Sequence, residues 1–327
     1  MEIRRALPLT LLMFLTTASY AFDTGRNDVA AFIDDMVAEH GYDRATLEKA
    51  LGDAQSRDSI LEAIARPAEK RLTWPEYRAI FVRPEKIEAG VTFWQQHAEL
   101  IQQVAERTGV SEEMLVGIVG VETNFGQRTG GYRVIDALAT LAFDYPPRAN
   151  FFRSQLEEYL LLVREEAMDP LSATGSYAGA MGRPQFMPGS YRAYAVDFDG
   201  DGQRDIWENW SDVLGSVANY FVEHRWQSGN EVAARARLSD NWNGPEPDNA
   251  LKAKSTVGAL RAGGITFDTT MPDDHPASLV VLDLGEGQRE YWVGFHNFFV
   301  VTRYNRNVMY ALAVKQMGEA IAAEYGR

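Results

Sequence analysis

The residue whose placement most suggests chemistry is Glu122, a carboxylate near the end of an otherwise apolar segment, residues 114–126. Leu115, Ile118 and Glu122 recur at positions i, i+3 and i+7, so a helix would place them on one face, which we expect to be buried. Burial disfavours the charged form of a carboxylate, and a general acid must keep its proton near neutral pH. Glu122 is therefore a candidate general acid, although capping a helix or pairing with an arginine would explain it equally well.

A second group of chemically informative residues lies at 197–208, DFDGDGQRDIWE, which fits the calcium-loop pattern D-x-D-x-D-G-x5-E at every required position. Arg204 stands where paired calcium loops commonly carry an aliphatic residue, so we expect a single, unpaired loop. The spacing predicts a structural Ca²⁺ site, and the alternative is an acidic turn that binds no ion. The expected oxygen ligands are Asp197, Asp199, Asp201, Gln203 through its backbone carbonyl, Asp205 and Glu208.

Helical periodicity dominates the first two thirds of the chain and returns at its C-terminal end. Ser111 can cap the helix that carries Glu122, Glu112 and Glu113 suit its first turn, and Asn124 and Gly126 provide a polar stop. Apolar spacing predicts two or three short helices within 28–67 and longer helices at 84–107, 150–166, 210–224 and 308–325.

Two regions depart from this helical pattern. Residues 172–191 are rich in Gly, Ser and aromatic side chains, which predicts a loop or a loop with a short helix. From about residue 229, Asn, Asp, Gly and Pro become frequent, while 278–284 and 291–304 are rich in Val, Tyr, Phe and Trp. This composition predicts a small β-rich unit inserted into a helical chain.

Composition and the N-terminal residues limit the class of protein. The chain has 327 residues, 46% of them hydrophobic, and a formal net charge of −14, which argues against nucleic acid or an anionic membrane surface as a partner. Arg4 and Arg5, the apolar residues 7–15 and the small-x-small triplet at 19–21 predict a cleavable signal peptide over residues 1–21. We expect a soluble exported protein without a membrane anchor, and an uncleaved N-terminal anchor is the alternative. The absence of cysteine excludes disulfides, thiolate chemistry and a lipid anchor on an N-terminal cysteine.

Five segments resemble the lytic murein transglycosylase B family of bacterial cell-wall enzymes, and the resemblance covers most of the chain. They are GVETNFG at 120–126, GYRVIDALATLAFDYPPR at 131–148, SYAGAMGRPQFMPGSY at 176–191, DFDGDG at 197–202 and VTRYN at 301–305. The resemblance implies an α+β, mainly α fold, with a lysozyme-like catalytic core, a helical domain and a small β-rich insert. The implied units are the signal peptide 1–21, a helical domain 22–100 plus 306–327, the catalytic core 101–228 with its EF-hand-like calcium loop, and the β-rich domain 229–305.

The resemblance also implies an activity and a set of residues that contact the substrate. The activity is cleavage of the β-1,4 bond between N-acetylmuramic acid and N-acetylglucosamine in peptidoglycan, with a 1,6-anhydromuramoyl product. One carboxylate, Glu122, would act as acid and then as base, whereas hydrolysing glycosidases usually need two. Tyr77, Tyr220 and Tyr310 match aromatic positions of the family, but each could equally be a core residue. The full set of implied substrate-binding residues is Ser176, Gln185, Tyr77, Tyr220, Tyr304, Asn305 and Tyr310.

Two other functions remain open. A hydrolytic muramidase would need a second carboxylate, for which Asp136 or Asp144 is a candidate, although we expect both to form structural ion pairs. A non-catalytic, calcium-stabilised peptidoglycan-binding scaffold is the other alternative. For all three, the resemblance implies a monomeric periplasmic protein whose partner is the peptidoglycan glycan strand, with other cell-wall enzymes as further candidate partners. Ca²⁺ is the expected cofactor, and no organic cofactor is expected.

Overall fold

The N-terminal part of the chain is built from helices, as the apolar periodicity predicted. The structure is a computed structural model that describes residues 19–66, 72–240, 242 and 244–326. Residues 1–18 of the predicted signal peptide lie outside the described residues, and its last three residues, 19–21, form a short strand. The elements of this part are β1 (Ser19–Ala21), α1 (Asn27–His40), α2 (Arg44–Asp53), β2 (Gln55–Arg57), α3 (Asp58–Ala65), α4 (Trp74–Phe81) and α5 (Pro84–Thr108), with β1 and β2 antiparallel.

The middle of the chain is also mainly helical. The helices predicted at 84–107, 150–166 and 210–224 are confirmed to within one residue at each end. The predicted loop at 172–191 is confirmed as well, with a two-residue strand at its start and a short helix at its end. The elements are α6 (Glu112–Thr123), β3 (Tyr132–Arg133), α7 (Val134–Phe143), a 3₁₀ turn (Pro146–Arg148), α8 (Ala149–Glu165), β4 (Thr174–Gly175), α9 (Pro188–Tyr194) and α10 (Trp210–Glu223).

The β-rich unit is an antiparallel sheet with its own small core. Its elements are β5 (Ala233–Leu238), β6 (Ser255–Thr256), α11 (Val257–Ala262), β7 (Ile265–Thr266), β8 (Pro276–Gly285) and β9 (Gln288–Phe295), and the strand order is β6-β8-β9-β5-β7. β8 and β9 form a hairpin in which Val280 lies opposite Trp292. Its tip, Glu286 and Gly287, has positive φ angles of 53° and 76°, as a tight hairpin turn requires. A core around Val257, Val293 and Phe295 is distinct from the main core of the molecule.

The β structure expected from the composition of residues 291–304 is correct only for the first part of that segment. β9 ends at Phe295, and the chain then forms α12 (His296–Tyr304), in which Asn297 to Thr302 are all buried. A run of buried apolar residues does not distinguish a strand from a buried helix, which is why the composition misled us here. The last helix, α13 (Val308–Tyr325), has the bounds that the sequence predicted. Among the described residues, no helix combines the length and apolar composition needed to span a membrane.

The helix that carries Glu122 packs unusually closely against the last helix. A Cβ atom added to Gly117 of α6 would lie 2.5 Å from the carbonyl oxygen of Val314 in α13. A Cβ added to Gly318 of α13 would lie 2.1 Å from the carbonyl oxygen of Glu113. Only glycine permits such an approach of two helix backbones. The contacts join the middle of α13 to the first half of α6, with the later residue of one helix beside the earlier residue of the other. The two helices therefore run in opposite directions, which brings the first turn of α13 to the end of α6, where the candidate site forms.

Candidate active site

The end of α6 determines where Glu122 points. The helix stops at Asn124, which adopts a left-handed conformation with φ of 50° and is followed by Phe125 with φ of 58°. Their N–H groups donate to the carbonyl oxygens of Gly120 and Val119, both at 3.1 Å. This confirms Asn124 as the polar stop of the helix, because asparagine tolerates the left-handed region better than most residues. Glu122 therefore lies in the last turn of α6 and is half-buried.

At the other end of α6 the prediction was only partly correct. Ser111 has the extended backbone of an N-cap residue, with φ of −68° and ψ of 148°. Its side chain, however, makes no capping hydrogen bond within the described residues. Its carbonyl oxygen instead accepts from the N–H groups of Met114 and Leu115, at 3.1 and 3.2 Å. The helix start thus depends on the backbone and on buried apolar packing rather than on the serine hydroxyl.

A tyrosine hydroxyl from α13 is bonded to the candidate acid. Tyr310 donates a hydrogen bond to Oε1 of Glu122. Asn307 caps α13 by accepting from the N–H of Met309 at 2.9 Å, which sets the position of Tyr310 in the first turn. Burial raises the pKa of Tyr310 well above its ordinary value, and the Glu122 charge raises it further. Tyr310 therefore remains a neutral donor at any pH at which the enzyme would work.

Two further tyrosines extend the site from Tyr310. The ring of Tyr304 lies 6.4 Å from that of Tyr310 with only 15° between their planes, and its hydroxyl donates to the carbonyl oxygen of Pro184 at 2.5 Å. Burial raises the pKa of Tyr304, as does the Glu122 charge. Tyr220 lies 4.8 Å from Tyr304 and donates to the carbonyl oxygen of Arg303 at 2.7 Å. These hydrogen bonds fix the positions of the two rings, so only the ring faces are left for other contacts.

Tyr77, from α4, lies near Tyr310. Its phenol lies close enough to Tyr310 to raise the pKa of that residue. Tyr77, Tyr220 and Tyr310 are all buried, at 1, 7 and 2% exposure. Burial agrees with both interpretations of these tyrosines, as core residues or as the floor of a sugar site, so their contact with substrate stays a prediction.

The loop after β4 supplies the opposite side of the site. Ser176 Oγ accepts from the N–H groups of Ala178 and Ala180, at 3.3 and 3.1 Å. Gln185 has a left-handed φ of 52°, and its Nε2 donates to the carbonyl oxygens of Gly182 at 2.8 Å and Thr129 at 3.0 Å. These bonds make the loop compact, and the one to Thr129 joins it to the segment that follows Glu122.

A close backbone contact brings the other part of this loop to the same segment. A Cβ atom added to Gly130, whose φ is 92°, would lie 2.1 Å from the carbonyl oxygen of Gly175 and 2.6 Å from the nitrogen of Ser176. Thr123, next to Glu122, also donates its hydroxyl to the carbonyl oxygen of Arg183 at 3.0 Å. The structure thus brings Ser176 and Gln185 to the Glu122 turn. Asn305 follows Tyr304 in the chain, and none of its described contacts involves Glu122.

A pocket lies on the side of the β-rich unit, next to the segment that links Tyr304 to Tyr310. It has a volume of about 750 Å³, and residues 306–309 form one of its walls. Leu72, residues from 246 to 251 and the β8–β9 hairpin form the others. The lining of this pocket includes neither Glu122 nor the tyrosines, so it neighbours the candidate site only through residues 306–309.

The two candidate second carboxylates are engaged elsewhere. Asp136 is fully buried and bonds to the guanidinium groups of Arg57, at 3.0 Å, and Arg133, at 2.9 Å. Asp144 accepts from Arg26 at 2.8 Å. This confirms the expectation that both form structural ion pairs.

The acidic loop at 197–208 folds around its first aspartate. The Asp197 carboxylate accepts from the N–H groups of Gly202 at 2.8 Å and Gly200 at 2.7 Å, and these bonds, that of Gly202 above all, lower its pKa. Carboxylate oxygens of Asp197, Asp199 and Asp212 lie within 4.8 Å of one another. Three negatively charged oxygens at this spacing suit a hard divalent cation such as Ca²⁺.

Of the predicted ligands, this group contains Asp197 and Asp199. The side chain of Glu208 is 82% exposed and pairs with Arg183 at 3.0 Å. The third member is Asp212, buried in the first turn of α10, which accepts from the N–H groups of Phe198 and Asp205, both at 2.8 Å. Sequence reasoning missed Asp212, although an acidic residue in the first turn of an otherwise apolar helix was the available signal.

A half-buried carboxylate bonded to a neutral tyrosine hydroxyl, among further tyrosines, suits one class of protein: enzymes that break glycosidic bonds by acid catalysis. A comparison with known proteins makes the class specific. Residues 24–319 match the family model described as a transglycosylase SLT domain. The chain belongs to this family, which confirms the resemblance seen in its motifs.

Known relatives and solved structures agree with this assignment. The membrane-bound lytic murein transglycosylase B of Escherichia coli (strain K12) is 43% identical over 300 residues, which cover 89% of this chain and 81% of that protein. The catenated lytic transglycosylase SltB1 of Pseudomonas aeruginosa is 47% identical with a TM-score of 0.85, and the match covers 92% of this chain and 99% of that one. The mainly helical, lysozyme-like fold expected from the motifs is thereby confirmed.

Two other matching structures contain ligands. The Escherichia coli lytic transglycosylase Slt35, solved in complex with calcium, is 41% identical with a TM-score of 0.83, covering 94% of this chain and 97% of that one. SltB3 of Pseudomonas aeruginosa, solved in complex with NAG-anhNAM-pentapeptide, is 31% identical with a TM-score of 0.77, covering 89% of this chain and 78% of that one.

Proposed function

We propose that this protein is a lytic transglycosylase that cleaves the β-1,4 bond between N-acetylmuramic acid and N-acetylglucosamine in peptidoglycan and releases a 1,6-anhydromuramoyl product. The observation that carries the proposal is the hydrogen bond from Tyr310 to Glu122 at the end of α6. The family of the chain supports it, and so does the anhydro-sugar bound by SltB3, a relative with the same fold.

The reaction follows from the two oxygens of one carboxylate. Tyr310 occupies Oε1 as a donor, so the proton of neutral Glu122 is on Oε2. Oε2 gives this proton to the glycosidic oxygen while the bond from that oxygen to C1 of the muramoyl sugar breaks. The positive charge that develops at C1 faces a carboxylate, which the Tyr310 hydroxyl stabilises. Oε2 then takes the proton from the 6-hydroxyl of the same muramoyl sugar while the oxygen of that hydroxyl forms a bond to C1. No water is consumed.

The residues around Glu122 would hold the sugars on either side of the broken bond. Ser176 and Gln185 lie on the loop side of Glu122, and the tyrosines on the side of α13. Tyrosines offer a flat face for a sugar ring and a hydroxyl for its oxygens. We assign substrate contact to Ser176, Gln185, Tyr77, Tyr220, Tyr304, Asn305 and Tyr310.

Digestion of purified sacculi by a Glu122→Gln variant tests the function. Glutamine keeps the shape of the side chain but has no proton to give, so release of anhydro-muropeptides should fall by roughly a thousandfold or more. The melting temperature should stay within about 2 °C of wild type, since a neutral amide still accepts from Tyr310. Glu324→Gln, an exposed position near the end of α13, is the matched control and should keep full activity.

Two outcomes of the sacculus experiment would contradict the proposal. Full activity of Glu122→Gln would remove Glu122 from the reaction. If the wild-type protein bound to sacculi but released no soluble product, it would be a peptidoglycan-binding scaffold instead.

We propose in addition a structural Ca²⁺ at the acidic loop. Asp197, Asp199 and Asp212 have the charge and spacing for it, and the relative Slt35 has been solved with calcium. The further oxygens expected to complete the site are those of Asp201, Gln203, Asp205 and Glu208. Bound Ca²⁺ would offset the repulsion between the carboxylates and so fasten the loop to the start of α10.

Thermal unfolding with calcium and with a chelator tests this site. Calcium should raise the melting temperature of the wild-type protein by several degrees, because it binds the folded state. This shift corresponds to a gain on the order of 1–3 kcal/mol in the free energy of unfolding. Asp212→Asn should remove most of this gain, and Glu208→Gln should change it less, because Glu208 pairs with Arg183. Equal melting temperatures for the wild-type protein in both conditions would refute the site.

The export of the chain to the periplasm through residues 1–21 is also part of this proposal. Arg4, Arg5 and the apolar residues 7–15 support it. Cleavage after Ala21 would remove β1 and leave Phe22, which is buried against Phe143, as the first residue. The intact mass of the exported protein should correspond to a chain that begins at Phe22, and an unprocessed mass would contradict this.

A further inference from the structure

Three cations converge at one end of the candidate active site, and we call them the basic cluster: Arg83, Lys86 and Arg128. Arg83 is the N-cap residue of α5, and its carbonyl oxygen accepts from the N–H of Lys86 at 3.0 Å. Arg128 comes from the turn after α6, where its N–H donates to the carbonyl oxygen of Thr123 at 2.9 Å. Burial lowers the pKa of Lys86, and the neighbouring charges of Arg83 and Arg128 lower it further, so the three groups are electrostatic neighbours.

The basic cluster is connected to both sides of the site. Lys86 Nζ lies 5.3 Å from the centre of the Phe81 ring, which in turn lies 5.3 Å from the ring of Tyr77. On the other side, Arg128 immediately precedes Thr129, the residue whose carbonyl oxygen accepts from Gln185. The cluster is thus linked to Tyr77 through Phe81 and to Gln185 through Thr129, which are residues on the two sides of the site.

Aromatic packing fixes the two backbones that carry the cluster. Phe125, in the turn before Arg128, stacks on Phe93 of α5 with 5.3 Å between the ring centres. A Cβ atom added to Gly90 of α5 would come within 2.9 Å of the Phe125 ring. The three cations are therefore held near one another by the fold, although like charges repel.

The charges of the basic cluster are poorly compensated. Arg83 faces Glu85 at 3.8 Å, whereas Lys86 and Arg128 take part in none of the ion pairs found among the described residues. This is unusual in a chain whose net charge is −14. Close cations that the protein does not neutralise favour an anion from outside, and a partly buried one binds it more strongly than a fully exposed one does.

The substrate of the proposed reaction carries one obvious source of such an anion. Glycan rings linked to a peptide are uncharged, whereas the peptide stems attached to them end in carboxylates. We propose that the basic cluster binds a carboxylate of the peptide stem next to the cleaved bond and so makes the enzyme prefer stem-bearing glycan. This rests on the proposed function, because it takes peptidoglycan as the substrate.

A comparison of two substrates that differ only in stem charge tests the proposal. One is soluble glycan with free stem carboxylates, and the other is the same glycan after those carboxylates have been converted to amides. The triple variant Arg83→Gln/Lys86→Gln/Arg128→Gln should lose about tenfold in kcat/KM on the acidic substrate, as expected for a few solvent-screened ion pairs. It should lose less than about twofold on the amidated substrate, and high salt should reduce the difference.

A second triple variant controls for the change in total charge. Lys49→Gln/Arg237→Gln/Lys252→Gln removes the same three charges from exposed positions elsewhere and should leave both kcat/KM values unchanged. An equal loss on both substrates, no loss on either, or the same loss in the control variant would overturn the proposal. Failure of the proposed function would look different, because the wild-type protein would then form no anhydro product from either substrate.

Discussion

Glu122 and Asp136 are both carboxylates in helices, yet their surroundings differ. Glu122 is placed where it could react, whereas Asp136 is held in ion pairs. Asp136 is fully buried and held by Arg57 and Arg133, two permanent cations. Glu122 is half-buried and bonded to Tyr310, a neutral hydroxyl. The two arginines give Asp136 permanent opposite charges, whereas Tyr310 gives Glu122 a hydrogen bond without a compensating charge.

The difference between the two sites also concerns what each one connects. Asp136 joins α7 to β2, since it accepts from the backbone N–H of Gln55 as well as from Arg57. Glu122 joins α6 to α13 through the Tyr310 hydroxyl. Substitution should therefore affect mainly stability at the first site and mainly activity at the second.

The largest effect on stability is expected for Asp136→Asn. The change leaves two arginines beside a neutral amide in a buried position, which should lower the free energy of unfolding by about 3 kcal/mol. Asp144→Asn, at a position with 14% side-chain exposure, should cost less. Chemical denaturation measures both, and activity per folded molecule should be unchanged. A loss of activity with unaltered stability would mean that Asp136 takes part in the reaction.

A smaller effect is expected for Tyr310→Phe, which removes the bond to Glu122 and keeps the ring. We expect kcat to fall by about 10- to 100-fold, since a hydrogen bond to a charged group contributes roughly 1.5–3 kcal/mol. Tyr42→Phe is the matched control, because the Tyr42 hydroxyl donates to the carbonyl oxygen of Leu160 at 2.7 Å and the residue has no assigned role in the site. Steady-state kinetics should separate the two variants, and equal losses would contradict the special role of Tyr310.

The smallest effect is expected for the pH dependence of stability, to which His97 contributes. The surroundings of His97 favour its neutral form. Burial lowers the pKa of His97, and the Arg183 charge lowers it further. The unfolded chain then binds more protons, so this contribution to stability is complete above the ordinary histidine pKa of about 6.5 and is lost as the pH falls through it. Between pH 7.5 and 5.5 the wild-type protein should lose about 1–3 °C more in melting temperature than His97→Gln. An identical pH dependence would show that His97 does not contribute.

The sequence predicted one partner of the site better than the other. Glu122 and its helix could be predicted from the sequence because apolar spacing and a polar stop are local signals. The hydrogen bond from Tyr310 could not be predicted, since it joins residues 188 positions apart and depends on the close approach of α6 and α13. The motif resemblance named Tyr310 as a sugar contact, and only the structure showed it bonded to the acid.

The calcium loop and α12 show two other limits of sequence reasoning. The loop pattern identified Asp197 and Asp199, but nothing in its spacing shows that Glu208 pairs with Arg183. The pattern also missed Asp212, which the start of α10 brings to the same two aspartates. At 296–304 the composition suggested β structure, but this buried apolar segment is a helix, a difference that composition alone does not reveal.

The most direct test of the central claim, that a single carboxylate transfers the sugar's own proton without water, is digestion of sacculi in oxygen-18 water. We predict products about 20 Da lighter than muropeptides hydrolysed in the same water, the mass of one heavy water, with no heavy oxygen at the muramoyl C1. Products of hydrolysed mass that carry the heavy oxygen at C1 would contradict the account and make the protein a muramidase.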